Sequence, residues 1–249
     1  MNETDLAIII PVLDCLKYTK QMIPTIRTNQ PYKLILINNA STDGTAKFFD
    51  RLAKGEDVIA IHSDENIGCG PAWNYGIKYA IENFDSRYFF IPNNDVLLHP
   101  ETIDVLLDVV KHPRIALASA TDVSGRVAQA TEVLTLEMPT FGIIKDAPDF
   151  SCFMLSRETI DKVGYFDEKF YPAYFEDNDY HYRINLAGLR GVKTSKSLYF
   201  HYGSRTSKGG EKIKEKVSFS YLTNRDYFIR KWGGKPGQET FTTPFNKEK

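Results

Sequence analysis

Four apolar runs, three aliphatic and one aromatic, each followed by a segment of helical or capping character, dominate the first hundred residues and leave few folds open. Leu6-Ala7-Ile8-Ile9-Ile10-Pro11-Val12, Lys33-Leu34-Ile35-Leu36-Ile37, Val58-Ile59-Ala60-Ile61 and Tyr88-Phe89-Phe90-Ile91 are short, nearly continuous apolar stretches. That is the pattern of strands covered on both faces. Between them, Leu16, Thr19, Ile23 and Ile26 recur at helical spacing, and Ser41 to Thr45 supplies cap chemistry for a helix through about Ala53. Trp73, Ile77, Ala80, Ile81 and Phe84 form an apolar stripe with Pro71 in its first turn. Strand and helix thus alternate four times at intervals of roughly 25 to 30 residues, the spacing of βαβ units and hence of a largely parallel α/β sheet. Such sheets bind ligands outside the carboxyl ends of their strands.

The same reading predicts a helix from Ile103 to Val110 after Pro100 and a fifth strand at Ile115-Ala116-Leu117-Ala118. Residues 123–149 read as irregular. Strand character returns from Phe150 to Ser156, a short helix follows from Glu158 to Val163, and Glu176 to Leu186 is a helix stopped by Gly188. Val192 to Phe200 is a strand ending at His201. Residues 211–232 form a basic and aromatic amphipathic helix. It either packs on the domain or lies on a membrane surface, and aromatics on more than one face favour packing.

With 249 residues and 42% hydrophobic content the chain can bury a sizeable core. Its 31 basic side chains nearly cancel 32 acidic ones, so no global field draws it to nucleic acid or to an anionic membrane. Cys15, Cys69 and Cys152 have neither metal-ligand nor redox spacing and read as free thiols of a reducing compartment. No apolar run reaches the roughly 20 residues needed to span a bilayer, and the N-terminus has no signal-peptide pattern, so a cytoplasmic location is expected.

Polar residues gather where the predicted strands end: Asp14 after the first, Asn38-Asn39-Ala40-Ser41 after the second, Asn66 after the third, and Asn93-Asn94-Asp95 after the fourth. In a parallel sheet they share one edge. A cleft of amides and acids with few cations suits a phosphate ligand whose charge is met by a hard divalent ion, with Asp95 as its carboxylate. Asn-Asn-Asp could instead be a turn that caps the following helix. Gly68-x-Gly70 fails as a dinucleotide fingerprint, because Trp73 stands at the third glycine position. The Walker loop is absent, as is the glycine-rich first loop of a nucleotidyltransferase.

Ile8-Ile9-Ile10-Pro11-Val12, Asn38-Asn39-Ala40-Ser41-Thr42-Asp43-Gly44-Thr45, Asn66-Ile67-Gly68 with Ala72-Trp73-Asn74-Tyr75-Gly76, and Pro92-Asn93-Asn94-Asp95 occur in the order seen in family 2 glycosyltransferases of the GT-A fold. Val163-Gly164-Tyr165-Phe166-Asp167 leading to Phe175-Glu176-Asp177-Asn178-Asp179-Tyr180 and Arg183 resembles the rhamnosyltransferase-like branch. The resemblance covers roughly residues 6–206.

It implies a GT-A catalytic domain over 1–210, with a mainly parallel central sheet flanked by helices, and a helical extension and tail over 211–249. The implied reaction is inverting transfer from a UDP- or dTDP-sugar to a glycan, lipid-linked or protein-linked saccharide, assisted by Mn2+ or Mg2+. Pro11, Val12 and Asp14 would line the base pocket, with Asn38 where the family usually has an aspartate. Asn66, Gly68 and Asn74 would face ribose and donor sugar beside Asn93 and Asn94, and Arg205 would clamp phosphate. Asp95 and His201 would bind metal, although His201 could equally be structural. Asp177 matches the general base, unless it merely caps its helix. Glu176 and Asp179 would lie on the acceptor side and raise the Asp177 pKa, or Asp179 would pair with Arg183. Asn38 and Asn93 in place of acids leave a second reading open, a sugar- or nucleotide-binding module without catalysis.

Overall fold

The computed structural model describes residues 5–203 and 211–247, with side chains in the last helix described from Phe219 onward. The first half follows the alternation just read. Strand β1 (Leu6–Val12) leads to α1 (Leu16–Met22), β2 (Tyr32–Asn39) to α2 (Thr45–Leu52), and β3 (Val58–Ser63) to α3 (Cys69–Phe84). Then come β4 (Tyr88–Pro92), β5 (Val96–Leu98), α4 (Thr102–Val110), β6 (Ile115–Asp122), β7 (Ile144–Lys145), β8 (Cys152–Ser156) and α5 (Arg157–Val163). The chain closes with α6 (Glu176–Leu186), β9 (Arg190–His201) and α7 (Glu211–Trp232).

One mixed sheet runs β3-β2-β1-β4-β8-β6-β9-β5, with β7 paired to β9. Its β3-β2-β1-β4 half is parallel, as the three helical crossovers α1, α2 and α3 require. Beyond β4 the pairing becomes mixed: β8 runs antiparallel between β4 and β6, while β6 and β9 are parallel. Successive residues of a strand face opposite layers. Ile8, Ile10, Leu34 and Leu36 therefore enter one core, while Ala7, Ile9, Ile35 and Ile37 enter the other with Trp73 and Ile77 of α3. Gly76 lets α3 sit close on β1, because a Cβ there would meet Ile9 Cγ2 at 2.3 Å.

Strand β5 was not legible as a strand. It places Asp95 in a turn between two strands, so Asn93-Asn94-Asp95 caps no helix. The irregular stretch 123–149 contains a 3-10 helix, Ala130–Thr135, closed by reciprocal Gln129 and Glu132 capping bonds, and the two-residue β7.

The last helix is fastened to the domain. Phe228 and Trp232 are buried with Phe170 and Phe175, and Asn224 Nδ2 bonds to the carbonyls of Ala173 and Tyr174. Among the described residues no helix is long and apolar enough to cross a membrane.

Candidate active site

The loops after β1 and β2 form a rigid shelf at the carboxyl edge of the parallel half. Asp14, at φ 56°, accepts the Thr42 N–H at 2.6 Å, its own N–H reaches Ser41 Oγ at 2.8 Å, and Leu16 N–H donates to Asp43 Oδ2 at 2.7 Å. Asn38 Oδ1 accepts the Ser41 N–H at 3.0 Å and its amide meets His62 at 3.3 Å. A carbonyl oxygen can accept two bonds, and the Ser41 N–H supplies one of them at the buried Asn38.

Several residues placed here by the resemblance turn elsewhere. The Val12 side chain is fully buried in the core, so only its backbone reaches the shelf, where Val12 C=O accepts from Ser41 Oγ. Pro11, in contrast, stays partly exposed at the strand end. Asn74 does not face a sugar: it is 1% exposed, its Oδ1 accepts the Phe166 N–H, and its Nδ2 donates to Phe166 C=O and Glu168. It clamps α3 to the segment before α6. Asn94 is likewise internal, joining Asp14 C=O to Thr19 Oγ1. Asn66 Oδ1 is engaged by Asn39 Nδ2 and the Gly68 N–H, and Gly68, at φ +89°, lies against Pro172 and Tyr171, where a Cβ would approach to 3.0 Å. Asn93 is partly exposed, its N–H bonded to Ser151 C=O. Arg205 lies outside the described residues.

Asp95 and His201 meet across the β5–β9 pairing, His201 Nε2 lying 3.1 Å from Asp95 Oδ1. Burial opposes the imidazolium. The bond to Asp95, its charge, and the charges of Asp122 and Asp149 outweigh that and raise the His201 pKa above the ordinary histidine value.

Helix α6 supplies the opposite wall. Its N-cap is Phe175, at φ 72°, so Asp177 is the second helical residue and caps nothing. Burial raises the Asp177 pKa, Asn178 N–H donation at 2.7 Å counteracts, and Asp149 adds a further upward push. Burial leads this shift, and not the charges of Glu176 and Asp179 expected from the sequence. Glu176 is 6% exposed with Oε2 unbonded, and burial followed by the charge of Asp177 pushes its pKa up to about 8. Asp179 does not face an acceptor. It is completely buried and held by Arg183 Nε at 2.9 Å, Lys231 Nζ at 2.5 Å and Trp232 Nε1 at 2.8 Å.

Asp149, which the sequence reading passed over, acts electrostatically on both Asp177 and His201 and so joins the two walls. Asp122 accepts the His201 N–H at 3.3 Å. The rule that selected Asp95, an acid where an apolar strand ends, would have found Asp122 at the end of β6. None of the three cysteines forms a disulfide among the described residues, and burial raises the thiol pKa of Cys69 and Cys152.

Residues 7–163 match the description of glycosyl transferase family 2. The chain belongs to that family. A galactofuranosyl glycosyltransferase of Leishmania donovani is 26% identical over 272 residues, covering 90% of this family 2 chain and 61% of that relative. An uncharacterized glycosyltransferase of Rickettsia conorii is 33% identical over 109 residues, 43% of this chain and 17% of its own. This chain therefore spans less than two thirds of either relative.

Among solved structures, the mannosyltransferase PcManGT of Pyrobaculum calidifontis, in complex with GDP-Man and Mn2+, superposes with a TM-score of 0.68 at 16% identity, over 94% of this chain and 66% of that one. GalNAc-T7 with UDP, GalNAc and Mn2+ gives 0.71 at 14% identity, over 93% and 48%. These likenesses establish the GT-A fold.

The metal implied by the family can be tested against the donors. No group of three or more His, Cys, Asp or Glu able to hold an ion occurs among the described residues. Asp95 and His201 are a two-donor set, one hard oxygen and one imidazole, which fits a cation that takes its remaining ligands from a diphosphate and water.

Proposed function

We propose that the chain is an inverting glycosyltransferase that moves a sugar from a nucleoside diphosphate donor to an acceptor hydroxyl, with Asp177 as general base. The observation that carries this is the linkage of two half-sites: Ser151 N–H donates to Asp149 Oδ1 while Ser151 C=O accepts the Asn93 N–H beside Asp95, and the charge of Asp149 raises the pKa of both the half-buried Asp177 and His201. One wall suits a diphosphate with its cation, and the other suits proton removal.

The shelf of Pro11, Asp14 and Asn38 receives the base. UDP- or dTDP-sugars are favoured, since Asn38 Oδ1 can accept the pyrimidine N3–H as its second bond. Asp95 and His201 would hold the divalent ion, with Mn2+ suiting the imidazole better than Mg2+. When bound there, the ion acts as a Lewis acid on the departing diphosphate.

Asp177 takes the proton of the acceptor hydroxyl as that oxygen bonds to the anomeric carbon. The bond from that carbon to the diphosphate oxygen breaks on the opposite face, and its electron pair leaves with the diphosphate. The raised Asp177 pKa strengthens it as a base, while a protonated Glu176 beside it withholds a second negative charge from the acceptor side. The acceptor is a glycan, lipid-linked or protein-linked saccharide. The resemblance of the segment from Val163 to Arg183 supports the rhamnosyltransferase-like branch, with residues 1–210 as the catalytic unit on which α7 is clasped.

The test is nucleoside diphosphate release from a panel of UDP-, dTDP- and GDP-sugars, with and without Mn2+, followed by the anomeric configuration of the product. Retention at the anomeric carbon would refute the single-displacement reading, and metal-stimulated turnover with inversion supports it.

A further inference from the structure

The segment between the 3-10 helix and β8 carries an apolar tip that no described residue covers. Phe141 is 86% exposed, Ile143 62% and Ile144 46%, on the short ribbon that β7 forms with β9. The ribbon is pinned by its own bonds, Ile143 N–H to Ser195 Oγ and Ser195 N–H to Ile143 C=O. Lysines surround the tip. Lys145 pairs with Lys193 across the ribbon, and the stem of Lys196 runs over Gly142, its Cγ 3.0 Å from where a Cβ would stand. No ion pair engages these three lysines among the described residues. The neighbouring acid, Asp146, is already bound to Arg190 at 2.7 Å.

We propose that this ribbon docks the protein on an anionic lipid surface, with Phe141, Ile143 and Ile144 entering the headgroup boundary and Lys145, Lys193 and Lys196 meeting lipid phosphates. Apolar side chains ringed by lysines are what such an interface requires. A protein partner is the poorer fit, because a stable interface needs roughly 800 Å² on each side and β7 offers only two residues of strand edge. The chain's near-zero net charge gives no long-range attraction, so the local lysines must supply it.

The consequence for catalysis rests on the transferase reading, whereas the docking does not. Asp149 lies five positions after Ile144, a span of at most about 18 Å. Docking would hold the acceptor wall close to the membrane and present Asp177 to a lipid-linked saccharide.

Co-sedimentation of the full chain with vesicles tests the docking without donor or acceptor. Wild type should sediment with mixed phosphatidylcholine and phosphatidylglycerol vesicles and only weakly with phosphatidylcholine alone. The double variant Phe141→Ser, Ile143→Ser should lose this binding with an unchanged melting temperature, since both side chains are exposed. Replacing Lys145, Lys193 and Lys196 with Ala should weaken it by about a hundredfold, from about fivefold per lysine. The proposal is overturned if wild type ignores the mixed vesicles or the Phe141→Ser, Ile143→Ser variant binds them equally well. Loss of binding only in Phe219→Ser, Leu222→Ser would overturn it in favour of α7. So would a wild-type dimer, absent from vesicles, that the ribbon variant dissociates.

Discussion

Lys231 Nζ lies 2.5 Å from Asp179 Oδ1, joining the last turn of α7 to the helix that carries Asp177. Both side chains are buried, and Asp179 is fully so. Lys231 also meets Asp167 at 2.7 Å. Removing one partner of a buried pair costs about 3–5 kcal/mol, because the other charge stays buried. Lys231→Met should fall near the lower bound, since Arg183 still faces Asp179. Urea unfolding measures this, and a loss under about 1 kcal/mol would deny the clasp an energetic role.

Asp177→Asn separates chemistry from folding. Asparagine keeps the size and can still accept the Asn178 N–H, and Asp177 is no N-cap whose loss would fray the helix. Melting temperature and donor affinity should stay near wild type while turnover falls by about two to four orders of magnitude, the usual worth of a general base. Near-normal turnover would remove Asp177 from the reaction.

Asp95→Ala should abolish the strengthening of nucleoside diphosphate binding by Mn2+, and His201→Ala should weaken it in part. Calorimetric titration with UDP, with and without the metal, measures both. Equal enhancement in wild type and Asp95→Ala would place the ion elsewhere.

Glu176 predicts a pH dependence of stability. Its folded pKa of about 8 lies above its ordinary value of 4.5. Between those pH values the folded chain keeps a proton that the unfolded chain releases, so stability falls as pH rises, by up to about 1.4 kcal/mol per pH unit. Glu176→Gln, which mimics the protonated acid, should flatten that slope and exceed wild type in stability above pH 8. Parallel curves for the two proteins from pH 5 to pH 8.5 would show that Glu176 does not titrate there.

The parallel half of the sheet was legible because β1 to β4 are apolar runs long enough to have one reading. Strand β5 was not, since Val96-Leu97-Leu98 is too short to carry a period and follows a turn-forming triplet. The insertion of β8 between β4 and β6 is a non-local choice, written in no local pattern. For the site, positions were easier to read than directions. Asn74 and Val12 stand where the family motif puts them, yet the turn of α3 and the strand pleat aim their side chains inward. Asp149 escaped notice because it precedes a strand rather than ending one.

Asp95 and His201 are 106 positions apart in the chain, and the register of β5 on β9 brings them together. A slip of one residue would send the imidazole to the other face of the sheet. A chain that has folded only as far as β8 therefore owns the carboxylate but not its imidazole partner. Assembly of the pair waits for the final strand, so this corner of the protein is completed only when the last strand of the sheet is in place.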